Sequence, residues 1–204
     1  QGSLRNELIM YWSMDSLDGE YVPDQVGTNH LQAHNITITN LVEGKFGKAL
    51  SLDGTSQFLS LTSDRSSDLP VYKRQEFTIA MWVRGAPNQV NRILVAEGSR
   101  KSIYPLFLLG THRDGRNGQM NLFIRSTGVM LNNIPTEGTV FNNEWTHVAW
   151  VNLGSSAKVY INGKENTEYR YERPSLPLDY FSVGALYRDP PVYFFRGEID
   201  ELAV

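Results

Sequence analysis

Hydrophobic and polar residues alternate with period two along much of this chain, and no segment sustains a 3.6-residue apolar period over three turns. Phe77, Ile79, Met81 and Val83 alternate with Thr78, Ala80, Trp82 and Arg84, which predicts a strand with one buried and one open face. Residues 145–153 are aromatic and β-branched. Gly154-Ser155-Ser156 breaks that run, and residues 158–161 alternate again up to Asn162-Gly163, a turn dipeptide. Two turn signals so close together predict a meander of antiparallel strands. Further strands are predicted at 9–14, 49–52, 58–61, 92–97, 104–110, 119–125 and 129–131, with weak alternation through 30–41. Gly-, Asn- and Ser-rich pieces separate them at the roughly 8 to 12 residue spacing of a sandwich or jelly roll. The polar stretch 63–75, with one Pro, predicts a short helical turn or an irregular loop.

These elements predict an all-β fold, a two-sheet antiparallel β-sandwich. At 204 residues such a sandwich fits in one domain. We expect the domain over 8–204, with 1–7 as a tag remnant or linker, because Gln1-Gly2-Ser3 resembles the scar of a cleaved tag. Hydrophobic residues at 41% suffice for a sizeable core, yet no apolar run is long enough for membrane insertion. The net charge of -3, with basic residues scattered along the chain, argues against a nucleic-acid partner. Cysteine is absent, so there is no disulfide framework and no thiolate nucleophile or ligand.

Five blocks in order carry a family resemblance. They are Tyr11-Trp12-Ser13-Met14-Asp15, the glycine-flanked stretch 44–54 (GKFGKALSLDG), and the Trp-bearing strand 77–83. Asn143 to Lys164 follows, with its Trp-Thr-His-Val-Ala and Val-Tyr-Ile-Asn-Gly-Lys strands, and then the closing strands 181–185 and 197–202. Together they resemble laminin-G-like domains of the concanavalin A-like lectin and glucanase superfamily. The resemblance implies a concanavalin A-like jelly roll, and because a sandwich hides its edge by bringing its terminal strands together, residues 9–14 are expected to pair with 198–204. It also implies a secreted or cell-surface setting, a glycan or surface-protein ligand, and other domains in the parent chain. Gly44, Gly47 and Gly54 would serve tight turns, and the four Trp residues would pack in the core or on a sheet face.

Because the superfamily contains glycoside hydrolases, catalysis has to be weighed. Its retaining hydrolases resemble one another in a Glu-x-Asp-x-Glu strand, which sets carboxylates on one face at two-residue spacing. Here Glu198-Ile199-Asp200 begins that pattern, Leu202 stands at its third position, and Glu201 is expected on the opposite face. No other nucleophile motif is present, and we expect no catalytic residue. The resemblance further implies one structural calcium ion where the first and last strands meet, with Asp15 and Asp200 as its carboxylates. The alternative is that Asp200 accepts backbone N–H groups of the N-terminal strand.

A sugar site needs an aromatic platform and planar polar side chains. Two loops offer both: Tyr187, Arg188, Asp189 and Tyr193 in one, and Arg113, Asp114, Arg116 and Asn117, with Tyr104 upstream, in the other. Each also reads as an ordinary exposed loop. His30, His34, His112 and His147 read as solvated or packed residues. The functional expectation is a non-catalytic carbohydrate-binding or adhesion module. A structural spacer or protein-binding module and a hydrolase or lyase of the same superfamily are the alternatives.

Overall fold

The computed structural model describes residues 7–63, 69–72, 74–102, 106–125, 129–171 and 177–204. Segment 1–6, much of the predicted 63–75 loop and Tyr104 lie outside the described residues. In chain order the strands begin with β1 (Tyr11–Trp12), β2 (Tyr21–Val22), β3 (Leu31–His34), β4 (Leu41–Glu43), β5 (Lys48–Asp53) and β6 (Phe58–Thr62). The centre of the chain supplies β7 (Glu76–Gly85), β8 (Ile93–Gly98), β9 (Leu106–Thr111), β10 (Gln119–Arg125) and β11 (Val129–Thr139). The last five are β12 (Thr146–Leu153), β13 (Ser156–Ile161), β14 (Lys164–Arg170), β15 (Tyr180–Val183) and β16 (Arg196–Ala203). Among the described residues the one helical element is the 3-10 turn Ile38–Asn40, capped by the Thr37 N–H donating to Asn40 Oδ1 at 2.9 Å.

The strands form two antiparallel sheets stacked as a sandwich. Sheet one runs β14-β13-β12-β7-β16-β5-β4, with β1 also on β16; sheet two runs β11-β10-β9-β8-β15-β6-β3-β2. The terminal strands meet as predicted: Tyr11 pairs with Ala203 and Trp12 with Leu202. Outside β1 the contact continues as backbone bonds from Ile9 N–H to Val204 O (2.8 Å) and from Val204 N–H to Met10 O (2.9 Å). The strand is shorter than residues 9–14, and on its C-terminal side Met14 turns the chain away at a φ of 63°.

Strand β7 keeps its expected faces, with Phe77, Ile79, Met81 and Val83 buried and the alternate residues open to solvent. Strand β12 does the same through Thr146, Val148, Trp150 and Asn152. Asn162 and Gly163, both at positive φ, make the tight turn between β13 and β14, a conformation whose twist matches the paired strands. Strand β11 is longer than the predicted 129–131, because bulges against β10 and a φ of 54° at Asn133 break the period-two pattern.

Trp12 joins the sheets. Its ring is fully buried and stacks on Phe181 of β15 at 5.7 Å, while its Nε1–H donates to Asn29 O at 2.9 Å. Trp150 is fully buried as well, whereas Trp82 and Trp145 lie half-buried on the outer face of sheet one.

Replacing Trp12 by Ala should cost about 3–5 kcal/mol of unfolding free energy, since both a ring and its buried hydrogen bond are lost. Trp82→Ala should cost less than about 2 kcal/mol. Urea denaturation of the two variants checks this, and equal losses would contradict the burial pattern.

Candidate functional site

Strands β8 and β9 are buried on both faces, which one-sided alternation does not explain. Their outer residues Ile93, Ala96, Leu106 and Leu108 form a second apolar cluster with Tyr180 and Leu186. The segment after β15 folds back over sheet two to cover it. Its base is closed by paired bonds, Leu186 N–H to Val192 O (2.9 Å) and Val192 N–H to Leu186 O (3.1 Å). Ile93 N–H then donates to Tyr193 O at 3.0 Å, so the Tyr193 backbone is pinned at a φ of 61° while its side chain stays 42% exposed.

Beside this loop lies an open hollow of about 440 Å³ on the outer face of sheet two. Arg188 and Tyr193 come from the loop, Arg113 from the β9–β10 turn, Phe123 and Arg125 from β10, and Asn132 and Asn133 from β11. The amides are oriented by a short chain of bonds: Asn121 Nδ2 donates to Asn133 Oδ1, and Asn133 Nδ2 to Asn132 Oδ1, each at 2.9 Å. The Arg125 guanidinium sits 5.5 Å from the Phe123 ring centre. Aromatic edge, planar amides and guanidinium groups thus face one concavity, the combination that holds sugar hydroxyls and apolar sugar faces.

The structure therefore brings together parts of the two predicted loops. Arg113, Arg188 and Tyr193 share the hollow. Tyr187 lines a neighbouring hollow of about 480 Å³ with Arg100, Lys101 and Asp179. Its ring is an anchor for the loop, lying 5.1 Å from Phe58, 5.7 Å from Tyr180 and 4.5 Å from the Arg100 guanidinium. Asp189 is exposed on the loop, and Asp114, Arg116 and Asn117 are exposed in the β9–β10 turn; none of them lines either hollow. Asn117 holds a φ of 51°, and its carbonyl accepts the Thr139 hydroxyl at 2.9 Å, so it shapes the turn. Sequence reasoning missed Phe123, Arg125, Asn132 and Asn133. The outward register of Asn121, Phe123 and Arg125 on β10 was the available signal.

Comparison with known proteins settles the lineage. A laminin G-type family model of the concanavalin A-like lectin/glucanases superfamily matches residues 53–204, well over half of the chain. The chain belongs to this superfamily. No curated protein sequence matches it significantly. Among solved structures it is similar to domain 4 of AbnA, a GH43 extracellular arabinanase from Geobacillus stearothermophilus, in complex with arabinotriose. That match has 20% identity and a TM-score of 0.63, and covers 96% of this chain and 90% of that one. It is also similar to Trypanosoma rangeli sialidase, at 16% identity and TM-score 0.66, where 96% of this chain spans only 30% of the sialidase. The CBM40 of Ruminococcus gnavus IT-sialidase, bound to α2,3-sialyllactose, matches at 15% identity and TM-score 0.58, covering 76% of this chain and 88% of that one. Identities this low establish the shared fold. No helix among the described residues is long and apolar enough to cross a membrane.

The superfamily's closing-strand carboxylates lie on sheet one, away from the hollow. Glu198 Oε2 is bound by Arg84 Nε at 3.0 Å. Glu201, at a φ of 53°, sits in a bulge between Asp200 and Ala203, which turns Leu202 into the core and lets the Tyr11 hydroxyl donate to Glu201 Oε2 at 2.6 Å. The bulge corrects the two-residue spacing expected for 198–202: Leu202 leaves the face shared by Glu198 and Asp200. Of the two expectations for Asp200, the backbone-donor one is met by a different segment than the N-terminal strand. Asp200 Oδ2 accepts the Lys45 and Phe46 N–H groups at 2.8 and 3.0 Å, in the turn between β4 and β5. Asp15 Oδ1 accepts the Lys48 N–H at 2.8 Å where that turn enters β5. Gly44 and Gly47 allow this approach, since a Cβ at Gly47 would stand 2.3 Å from Asp15 Oδ1 and one at Gly44 2.8 Å from Asp200 Oδ2.

As a calcium site the corner is only partly equipped. Among the described residues Asp200 Oδ1 is buried without a hydrogen-bond partner and suits a hard cation, but Asp200 Oδ2 and Asp15 Oδ1 are occupied by N–H donors. Among the described residues no three acidic, His or Cys side chains converge on a metal position. Burial pushes the Asp200 carboxyl up to about 6, against the lowering effect of the Phe46 and Lys45 N–H groups.

A carboxyl raised on folding binds more protons in the native state than in the unfolded chain. Its stabilising contribution is complete below about pH 4 and is lost as pH rises through about 6. In a chelating buffer, the melting temperature of the wild type relative to Asp200→Asn should therefore fall between pH 4 and 7. A difference independent of pH would refute the assignment.

Proposed function

We propose that this domain binds glycans without cleaving them, as a module of a secreted or surface protein that carries other domains. The observation that supports the reading is the hollow on sheet two, where Tyr193 and Phe123 offer apolar edges and Asn132, Asn133 and three arginines offer planar hydrogen-bonding groups. The arabinotriose and sialyllactose bound to two proteins of the same fold support a glycan as the ligand class.

The non-catalytic part of the proposal rests on where the carboxylates are. Hydrolysis needs an acid and a base flanking one scissile bond. Among the described residues no Asp or Glu lines the hollow, Glu198 is paired with Arg84, and Asp200 is buried beneath a backbone turn on the other sheet. The site is open and shallow, so much of a bound sugar stays in water and affinity should be weak, with a Kd on the order of 0.1–1 mM.

Calorimetry on a glycan panel tests the proposal. Binding to at least one glycan is expected, with Tyr193→Ala weakening it about tenfold while the thermal melt stays unchanged. A reducing-end assay on the same panel should show no turnover. Turnover abolished by Glu198→Gln or Asp200→Asn would overturn the non-catalytic reading, and absence of binding across the panel would favour a spacer.

Calcium is proposed only as a brace for the corner of the terminal strands, with Asp200 Oδ1 supplying one hard oxygen. If it binds there, EDTA should lower the melting temperature of the purified protein and added calcium restore it. No change with either would leave the N–H bracing of Asp15 and Asp200 as the whole of the corner.

A further inference from the structure

We infer that the hollow on sheet two selects anionic glycans, those bearing carboxylate or sulfate groups, over neutral ones; this rests on the glycan-binding reading of the same site. The inference comes from the sign of its lining. Arg113, Arg125 and Arg188 reach it from three separate elements, and among the described residues none of its lining is acidic. In a chain with a net charge of -3, three guanidinium groups around one hollow of about 440 Å³ set a local potential opposite to that of the protein as a whole. The nearest acids in sequence, Asp114 and Asp189, are exposed and lie outside the lining.

Geometry adds selectivity to charge. Guanidinium presents a planar fork of N–H donors that matches the oxygens of a carboxylate or a sulfate ester, which a neutral hydroxyl cannot match. The Arg125 guanidinium lies over the Phe123 ring, a contact that limits its freedom before a ligand arrives. Arg113 is exposed on the rim and free to close on a bound anion. Asn132 and Asn133, oriented through Asn121, remain for the sugar hydroxyls, and Tyr193 for an apolar sugar face. An anionic sugar thus meets a charge-matched group in the hollow, whereas a neutral one offers the guanidinium groups no counter-charge.

The test uses matched ligands on the full chain by calorimetry: α2,3-sialyllactose against lactose, oligogalacturonate against its methyl ester, and a sulfated galactan oligosaccharide against its desulfated form. At least one anionic member should bind about tenfold more tightly than its neutral partner, and the preference should shrink as salt is raised. Tight binding by the carboxylate pairs alone, or by the sulfated pair alone, identifies which anion the hollow takes. Arg113→Gln and Arg125→Gln should each weaken the anionic ligand about tenfold and leave its neutral partner nearly unaffected. Lys164→Gln, at an exposed position that opens β14 and lies outside the lining of the hollow, removes the same charge and should change neither. Because Arg113 is exposed, its variant remains informative even if the Arg125 variant unfolds. Equal affinity within every pair would overturn the anionic preference and leave glycan binding standing, while no binding to any member at millimolar concentration would overturn both.

Discussion

The structure depends on the burial of β16 at the centre of sheet one. The strand pairs with β7 on one side and β5 on the other, and β1 joins it past the bulge, so three separate regions of the chain are registered by eight residues. Ile199 and Leu202 supply the core side of that strand, with Val204 just past its end, and the bulge at Glu201 adjusts their phase so that all three are buried. On the outer side the Asp200 carboxylate fixes the turn that leads into β5. One carboxylate therefore bridges the end of the chain and its first quarter, and the two glycines of the turn are small because that oxygen and its Asp15 counterpart come so close.

A second burial requirement builds the candidate site. Once β8 and β9 carry apolar residues on both faces, something must cover the outer one, and the segment following β15 does so. Its aromatic anchor Tyr187 packs among Phe58, His34 and Tyr180, and its return strand pins Tyr193 against β8. The hollow is the space left between this cover and the polar edge of β10 and β11. Its shape follows from core packing, while its chemistry comes from the residues that the cover leaves exposed.

Charge is sorted between the two sheets. The carboxylates that would matter for hydrolysis are tied down on sheet one, by Arg84 at Glu198, by backbone donors at Asp200 and by Tyr11 at Glu201. The outer face of sheet two carries the arginines and amides instead. Likewise, His34 lies flat on Phe58 at 4.1 Å and bonds Ser60 at 2.8 Å, and burial together with the nearby Arg100 charge lowers its pKa, which suits a neutral packing residue.

Local pattern alone determined the all-β class, the faces of β7, the turn at Asn162-Gly163 and the pairing of the terminal strands, because each rests on residues adjacent in sequence or on the need to close a sheet edge. It also marked Arg113, Arg188 and Tyr193, since loop residues of those types stand out without knowledge of their neighbours. Only the tertiary structure decided that these three share one concavity with Phe123, Arg125, Asn132 and Asn133, which come from strands whose outward face is invisible until the register and the bulges of β11 are known. The same holds for the 198–202 carboxylates. A bulge at Glu201 shifts every later side chain to the other face, and nothing in the period-two pattern announces where an extra residue will be accommodated.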